Sequence, residues 1–279
     1  MHYQKYKKTM KKLGLIAGGG VLPTEIIKYC HQTGREVFAV GIEPYSWEDQ
    51  LKAAPHIFAK IGEVGKILKT MKENGVEEIV MAGGIKRPSL KEIIPDWGGV
   101  KMLAKLAVKK MNDNDMFLAA INEIEEYGFK VVGIEDVVPE MLFQEGIYGK
   151  TKPSAEDMDD IQRGITVAKA LGAVDVGQAA VVQEGIVLAV EAVEGTDMML
   201  SRVATLKKQG KAPVMVKVLK PRQDTRTDLP AIGLQTIREL HNHGVKGIAV
   251  EAGAILLIER DTVIKKADEL GIFIIGMKL

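Results

Sequence analysis

The stretch KLGLIAGGGVLPTEIIKYCHQTGREVFAVGI, Lys12 to Ile42, decides the fold. It begins as an apolar run that ends in three glycines, which reads as a buried strand entering a turn. Pro23 then opens a helical segment and Gly34 closes it, with proline just inside the start and glycine just past the end. REVFAVGI follows as a second strand. The pattern recurs: VGKILKTMKENG reads as a helix, VEEIVMAGG as a third strand, about Gly98 to Tyr127 as a helical stretch, and GFKVVGI as another strand. Strands alternating with helices at this spacing predict a parallel sheet with helices on its faces.

From Glu135 to Pro153 the periodicity fades, and Gly146, Gly149 and Pro153 punctuate the chain. Beyond it, SAEDMDDIQRGITVAKALG reads as a helix capped by Ser154 and closed by Gly172. QAAVVQ, GIVLAVEAV, APVMVKVL, KGIAVEA, AILLIE and IFIIGM read as strands. Between them lie the helical segments DMMLSRVATLKKQG, GLQTIRELHNHG and DTVIKKADELG. Adjacent strands without an intervening helix predict a mixed sheet. The fold class is therefore α/β in two α/β domains. Residues 1–134 form a Rossmann-like domain with a parallel sheet and glycine-rich turns, residues 135–153 a linker, and residues 154–279 a mixed-sheet domain that carries a charged loop.

The chain has 279 residues, too many for one ordinary core and suited to two domains of roughly 130–150 residues. Its net charge of +1 gives no global field for nucleic acid or an anionic membrane. The basic start MHYQKYKKTMKK lacks the apolar core of a signal peptide, and no apolar run is long enough to span a bilayer. The single cysteine, Cys30, excludes an internal disulfide and a multi-cysteine zinc site, and its helical setting predicts a buried structural residue. A cytoplasmic protein is expected.

Two glycine turns are the first candidates for ligand binding. AGGGVLP places Gly18, Gly19 and Gly20 between a strand and a helix, where backbone amides attract phosphate. It is not the dinucleotide fingerprint, because Pro23 stands where that pattern wants glycine or alanine, and no Lys-Ser/Thr follows as in a P-loop. AGGIKRPSL ends the third strand in the same manner, with Gly83, Gly84, Lys86 and Arg87. Ligands of open α/β sheets bind beyond the carboxyl ends of strands, so both turns are placed at one edge as an anion site. Tight turns and solvated basic residues are the plainer explanation of each.

Acidic clusters come next. NDND, from Asn112 to Asp115, offers Asp113 as a helix cap. EAVEGTDMML places Glu194, Thr196 and Asp197 between strand and helix, where capping explains Thr196 and a carboxylate pair could hold a metal. The five histidines are scattered, and no HExxH or nucleophile-elbow pattern is present.

The segment VKVLKPRQDTRTDLPAIG, Val216 to Gly233, carries Lys217 and Lys220 ahead of Pro221, and Arg222, Asp224, Arg226 and Asp228 between Pro221 and Pro230. Such charges ordinarily pair on the surface at about 0–1 kcal/mol each. Here they follow a strand and precede a helix. Asp224 and Asp228 are hard oxygen ligands suited to magnesium or manganese, and Lys220, Arg222 and Arg226 are phosphate partners. The combination suits metal-assisted hydrolysis of a phosphate compound.

LGLIAGGGVLP, AGGIKRP, EGTDMML, VKVLKPRQDTRTDLPAIGLQTI and GIAVEAG, in this order, closely resemble the LpxI-type UDP-2,3-diacylglucosamine diphosphatases from about Leu13 to Met277. The resemblance implies two α/β domains that handle a lipid-linked nucleotide-sugar substrate between them. It implies hydrolysis of UDP-2,3-diacylglucosamine to UMP and 2,3-diacylglucosamine 1-phosphate (lipid X), with water attacking the α-phosphorus, in lipid A biosynthesis. It further implies a magnesium cofactor, a homodimer, and a cytoplasmic protein in transient contact with the inner-membrane surface. By motif, Asp224, Asp228 and Arg226 are the expected catalytic residues. Lys220, Gln223 and Thr196 join the glycines, Lys86 and Arg87 as expected substrate ligands, and Asp224, Asp228 and Asp197 are expected to hold the metal. The family pattern has GDD near residue 113, where this chain reads NDND. Each acyl methylene buried in an apolar cleft contributes about 0.8 kcal/mol, so a protein without a membrane span can draw such a substrate from a membrane. Cleavage of another nucleoside diphosphate compound, non-catalytic nucleotide binding, and, more distantly, a nicotinamide-dependent oxidoreductase stay open beside this reading.

Overall fold

The computed structural model describes residues 10–85, 113–221, 224–226 and 229–279, with side chains in the second stretch described from residue 118. The chain divides into two compact units, residues 1–139 with 224–228, and residues 140–223 with 229–279. The architecture is α/β in both units, with a parallel sheet in the first and a mixed sheet in the second, as the alternation predicts.

The first unit is built on five strands: β1 (Leu13–Ala17), β2 (Val37–Glu43), β3 (His56–Lys60), β4 (Glu78–Ala82) and β5 (Lys130–Val131). Their order in the sheet is β3-β2-β1-β4-β5, and all pairs are parallel. The helices are α1 (Leu22–Thr33), α2 (Glu48–Leu51), α3 (Val64–Glu73), α4 (described from Asp113 to Glu126) and α5 (Ile134–Val137). α1 carries Pro23 in its first turn and ends on Gly34 in the left-handed region, and Cys30 is buried in it. Phe38, Val40 and Ile79 meet Leu68 and Met71 of α3 and Ile121 and Ile124 of α4 in one core. α2 and β3 are additions to the predicted elements. GFKVVGI contributes a strand of only two residues. The expected helix before Asp113, the position of Asn112, and the side chains of Asp113 and Asp115 fall outside what is described.

Residues 135–153 contain part of α5, a 3-10 turn (Pro139–Met141) and β6 (Gly146–Tyr148). The second unit's sheet has the order β6-β13-β11-β9-β7-β8. Its members are β6, β7 (Ala179–Gln183), β8 (Ile186–Val190), β9 (Val214–Lys217), β11 (Gly247–Glu251) and β13 (Phe273–Met277). β9, β11 and β13 run parallel, and β6, β7 and β8 are antiparallel to their neighbours. AILLIE does not join this sheet; its β12 (Leu256–Leu257) pairs with β10 (Ala231–Ile232).

Alternating side chains make two cores. Val214 and Val216 face Ile161, Ile165 and Ala168 of α6 (Ala155–Ala173). Met215, Ile248 and Val250 face Leu200 and Val203 of α7 (Gly195–Leu206), Ile237 and Leu240 of α8 (Leu234–Asn242) and Val263 of α9 (Arg260–Leu270). The helices thus cover both faces of a sheet whose strands alternate in period two. Ser154 caps α6, as expected, in a reciprocal box with Asp157. Gly172 does not end that helix. It lies inside the last turn, where a Cβ would come within 3.2 Å of Pro221 Cδ.

Candidate active site

In the first unit, β1 and β4 are adjacent strands on either side of the point where the sheet order reverses. Both lead into glycine turns, as predicted, and the turns bind each other. Gly18 donates to Ala82 O (2.8 Å), while Gly19 and Gly84 exchange hydrogen bonds of 2.9 Å in an isolated antiparallel bridge. A Cβ on Gly18 would lie 2.7 Å from Gly83 O, and one on Gly83 would lie 2.6 Å from Gly19 O. Close backbone approach is therefore what these two positions require. The amides of Gly18, Gly19 and Gly84, expected as phosphate donors, donate to carbonyls inside the bridge. Gly20 is exposed beyond it. The buried Gln50 side chain braces the turn, its Nε2 donating to the carbonyls of Gly18 and Gly20 at 2.8 Å each, while Ser46 Oγ donates to Gln50 Oε1 at 2.6 Å. Lys86 and Arg87 lie outside the described residues.

Asp224 and Arg226 of the charged loop are brought together. Asp224 Oδ1 accepts from Arg226 N and Nε, both at 3.0 Å, and Oδ2 accepts from the guanidinium at 2.7 Å. This fork-on-carboxylate geometry is the one in which arginine also grips phosphate. Arg226 reaches Glu125 Oε1 of α4 at 3.4 Å as well. The hydrogen bonds from Arg226 hold the Asp224 carboxyl below its usual range, and the same bonds push the guanidinium up. Gln223 and Asp228 are outside the described residues.

In the second unit, Lys217 ends β9 and is buried. Its Nζ donates to Thr196 Oγ1 at 2.7 Å and lies 3.7 Å from Glu191 Oε1. Thr196 in turn donates to Glu191 Oε1, and Glu191 Oε2 accepts from Gln178 N at 3.2 Å. The Thr196 proton is thus committed to Glu191. At the end of β11, Glu251 Oε2 accepts from Leu219 N at 2.9 Å, which ties down the root of the charged loop. Lys220 pairs with Asp175 at 2.8 Å. Asp197 is exposed in the first turn of α7, and Glu194, its proposed metal partner, is held by Arg202. Lys217, Glu191, Glu251 and Gln50 are the polar residues that reading by motif did not assign. Only Lys217, a cation ending an apolar strand, carried a signal.

The donor set can be tested against magnesium. Among the described residues no group of three or more His, Cys, Asp or Glu side chains could hold a metal. Magnesium keeps several waters and takes one or two carboxylates together with substrate phosphates, so Asp224 in a loop rich in phosphate partners is a fitting donor. Among the described residues no helix is long and apolar enough to cross a membrane.

Among solved structures, CobK precorrin-6A reductase aligns over 97% of this chain and 90% of its own, at 11% identity and a TM-score of 0.34. The biotin carboxylase subunit of pyruvate carboxylase aligns over 62% of this chain and 35% of its own, at 16% identity and a TM-score of 0.26. These likenesses are too slight to bear on function. The UDP-2,3-diacylglucosamine pyrophosphatase LpxI of Caulobacter vibrioides is 42% identical over 275 residues, covering 96% of this chain and 98% of that protein. The LpxI N-terminal domain profile matches residues 12–141 and the LpxI C-terminal domain profile residues 144–275, so the two glycine turns fall in one and Lys217, Asp224 and Arg226 in the other. With both domains matched in sequence order across nearly its whole length, the chain belongs to the LpxI family.

Proposed function

We propose that the protein hydrolyses UDP-2,3-diacylglucosamine in lipid A biosynthesis, with water attacking the α-phosphorus to release UMP and 2,3-diacylglucosamine 1-phosphate. The observation that carries this reading is the 42% identity, over nearly the whole of both chains, to a protein named for this pyrophosphatase activity. The loop chemistry supports it. The diphosphate competes with Asp224 for the Arg226 fork, because both offer paired anionic oxygens to its parallel N–H groups. With Arg226 engaged by the diphosphate, the Asp224 carboxylate is proposed to orient water and accept its proton. Arg226 meanwhile neutralises charge that develops on the phosphoryl oxygens. Magnesium, when bound, would supply further neutralisation of the diphosphate, and Asp224 and Asp228 would hold it. Lys220 is proposed as an additional phosphate ligand, exchanging Asp175 for substrate. A homodimer, a cytoplasmic location and transient contact with the membrane surface are proposed on the family resemblance alone.

The test is turnover of UDP-2,3-diacylglucosamine with magnesium in oxygen-18 water, products read by mass spectrometry. Label in UMP is expected. Label in the lipid product would keep the substrate and overturn the attack site. No turnover by folded protein, with or without added metal, would overturn the assignment in favour of another nucleoside diphosphate compound or of nucleotide binding alone.

A further inference from the structure

The mechanism above leaves Lys217 unused. Its side chain is 8% exposed, so its charge is almost wholly withdrawn from water. Burying an ammonium is costly unless its donors find acceptors. Yet among the described residues its three N–H groups meet one acceptor within hydrogen-bond reach, Thr196 Oγ1 at 2.7 Å. Glu191 Oε1, at 3.7 Å, offsets the charge without accepting a hydrogen bond from it. Thr196 cannot reverse its role while its own proton goes to Glu191. The cluster therefore fixes the ammonium as a donor and, among the described residues, gives two of its N–H groups no protein acceptor.

The position is that of a ligand site. Lys217 stands at the carboxyl end of a strand within a parallel β9-β11-β13 set, the edge at which open α/β sheets take their ligands. Thr196 lies in the first turn of α7, a 12-residue helix with no side-chain cap at its start, which adds partial positive charge. The β8–α7 connection, whose flanking Glu191 and Thr196 meet the lysine, lies at the surface, with Val193 in it fully exposed. We propose that Lys217 is a phosphate ligand, whose ammonium, held by Thr196 and offset by Glu191, presents its remaining N–H groups to an oxygen of the substrate's diphosphate. This deepens the proposed function and rests on it for the identity of the anion. Glu191 then has two tasks: it keeps the buried ammonium tolerable in the empty protein, and it limits how tightly an anion is held, so that product can leave.

The experiment is calorimetric titration of the full-length protein with inorganic pyrophosphate, alongside KM and kcat on UDP-2,3-diacylglucosamine. Lys217→Met is expected to weaken pyrophosphate binding by about tenfold or more, the scale of one charge-assisted hydrogen bond, and to raise KM. Glu191→Gln keeps the lysine and removes the opposing charge; it is expected to tighten pyrophosphate binding by about tenfold. A merely structural lysine predicts the opposite for Glu191→Gln, unchanged or weaker binding in a less stable protein. That arm decides the matter even if Lys217→Met fails to fold. Wild-type protein that does not bind pyrophosphate, Lys217→Met that binds it as the wild type does, or Glu191→Gln that binds no tighter would each overturn the proposal. Turnover by the wild type with unchanged affinity in Lys217→Met removes this inference and leaves the proposed function. Lost affinity in Lys217→Met without any turnover by the wild type removes the function and leaves the anion site.

Discussion

Asp224 and Arg226 form one contact that, in the proposed function, is both a resting state and a recognition device. Their side chains are 22% and 35% exposed, so solvent screens the pair and its worth to the fold is small, about 0–1 kcal/mol. Its value lies in geometry. In the proposed mechanism, the carboxylate sitting in the arginine fork marks the place where a phosphate would bind. Asp224→Asn preserves shape and removes the charge. We expect kcat to fall by about 10²–10⁴, as for loss of a general base, while the melting temperature stays within a few degrees of the wild type. Turnover near the wild-type level in the Asn variant would exclude Asp224 from the chemistry. The residue types in this loop could be read from sequence because they are consecutive. The Lys217–Thr196–Glu191 cluster could not, since Glu191 and Lys217 stand 26 positions apart and meet only because folding brings the end of β9 to the two residues that flank the β8–α7 connection.

At the scale of elements, the start of α6 joins sequence pattern to pH. Burial pushes the Asp157 carboxyl up, but Lys246, the Ser154 amide and the Ser154 hydroxyl together hold it below its ordinary value of 3.8. A carboxyl depressed on folding contributes stability that is fully present above the unfolded value and is lost as pH falls through the folded one. Asp157→Asn should therefore lower the melting temperature by several degrees at pH 7, the scale of about 1–2 kcal/mol for a cap and its ion pair. The gap between the two proteins should close as melts are repeated below about pH 4. A gap that is constant from pH 7 to 3 would place the loss in packing instead. This helix was readable because Ser154 and Asp157 announce its start within four residues. β3 was not, since His56, Ile57 and Phe58 are only half-buried at the sheet edge and give no clean alternation. β10 has only two residues and no local pattern of its own, whereas its partner β12 falls within AILLIE, an apolar run that reads as a strand.

For the whole molecule, alternation of strands and helices gave the layers, but contiguity in sequence misjudged which residues keep company. The segment 224–228 lies within the second half of the chain and groups by contact with residues 1–139. A fragment ending at Pro139 therefore lacks Asp224, and a fragment beginning at Glu140 carries Asp224 without Glu125 of α4. Purified separately, neither fragment is expected to turn over UDP-2,3-diacylglucosamine, and measurable turnover by either would show that one half suffices. The same interleaving bears on descent. A genetic crossover between relatives near codon 140 would transmit Asp224, the proposed reactive aspartate, with one parent's half and the helix that seats Arg226 with the other's. Such hybrids inherit chemistry and its foundation from different lineages, so the two halves are bound to evolve as one hereditary unit even though each builds its own sheet.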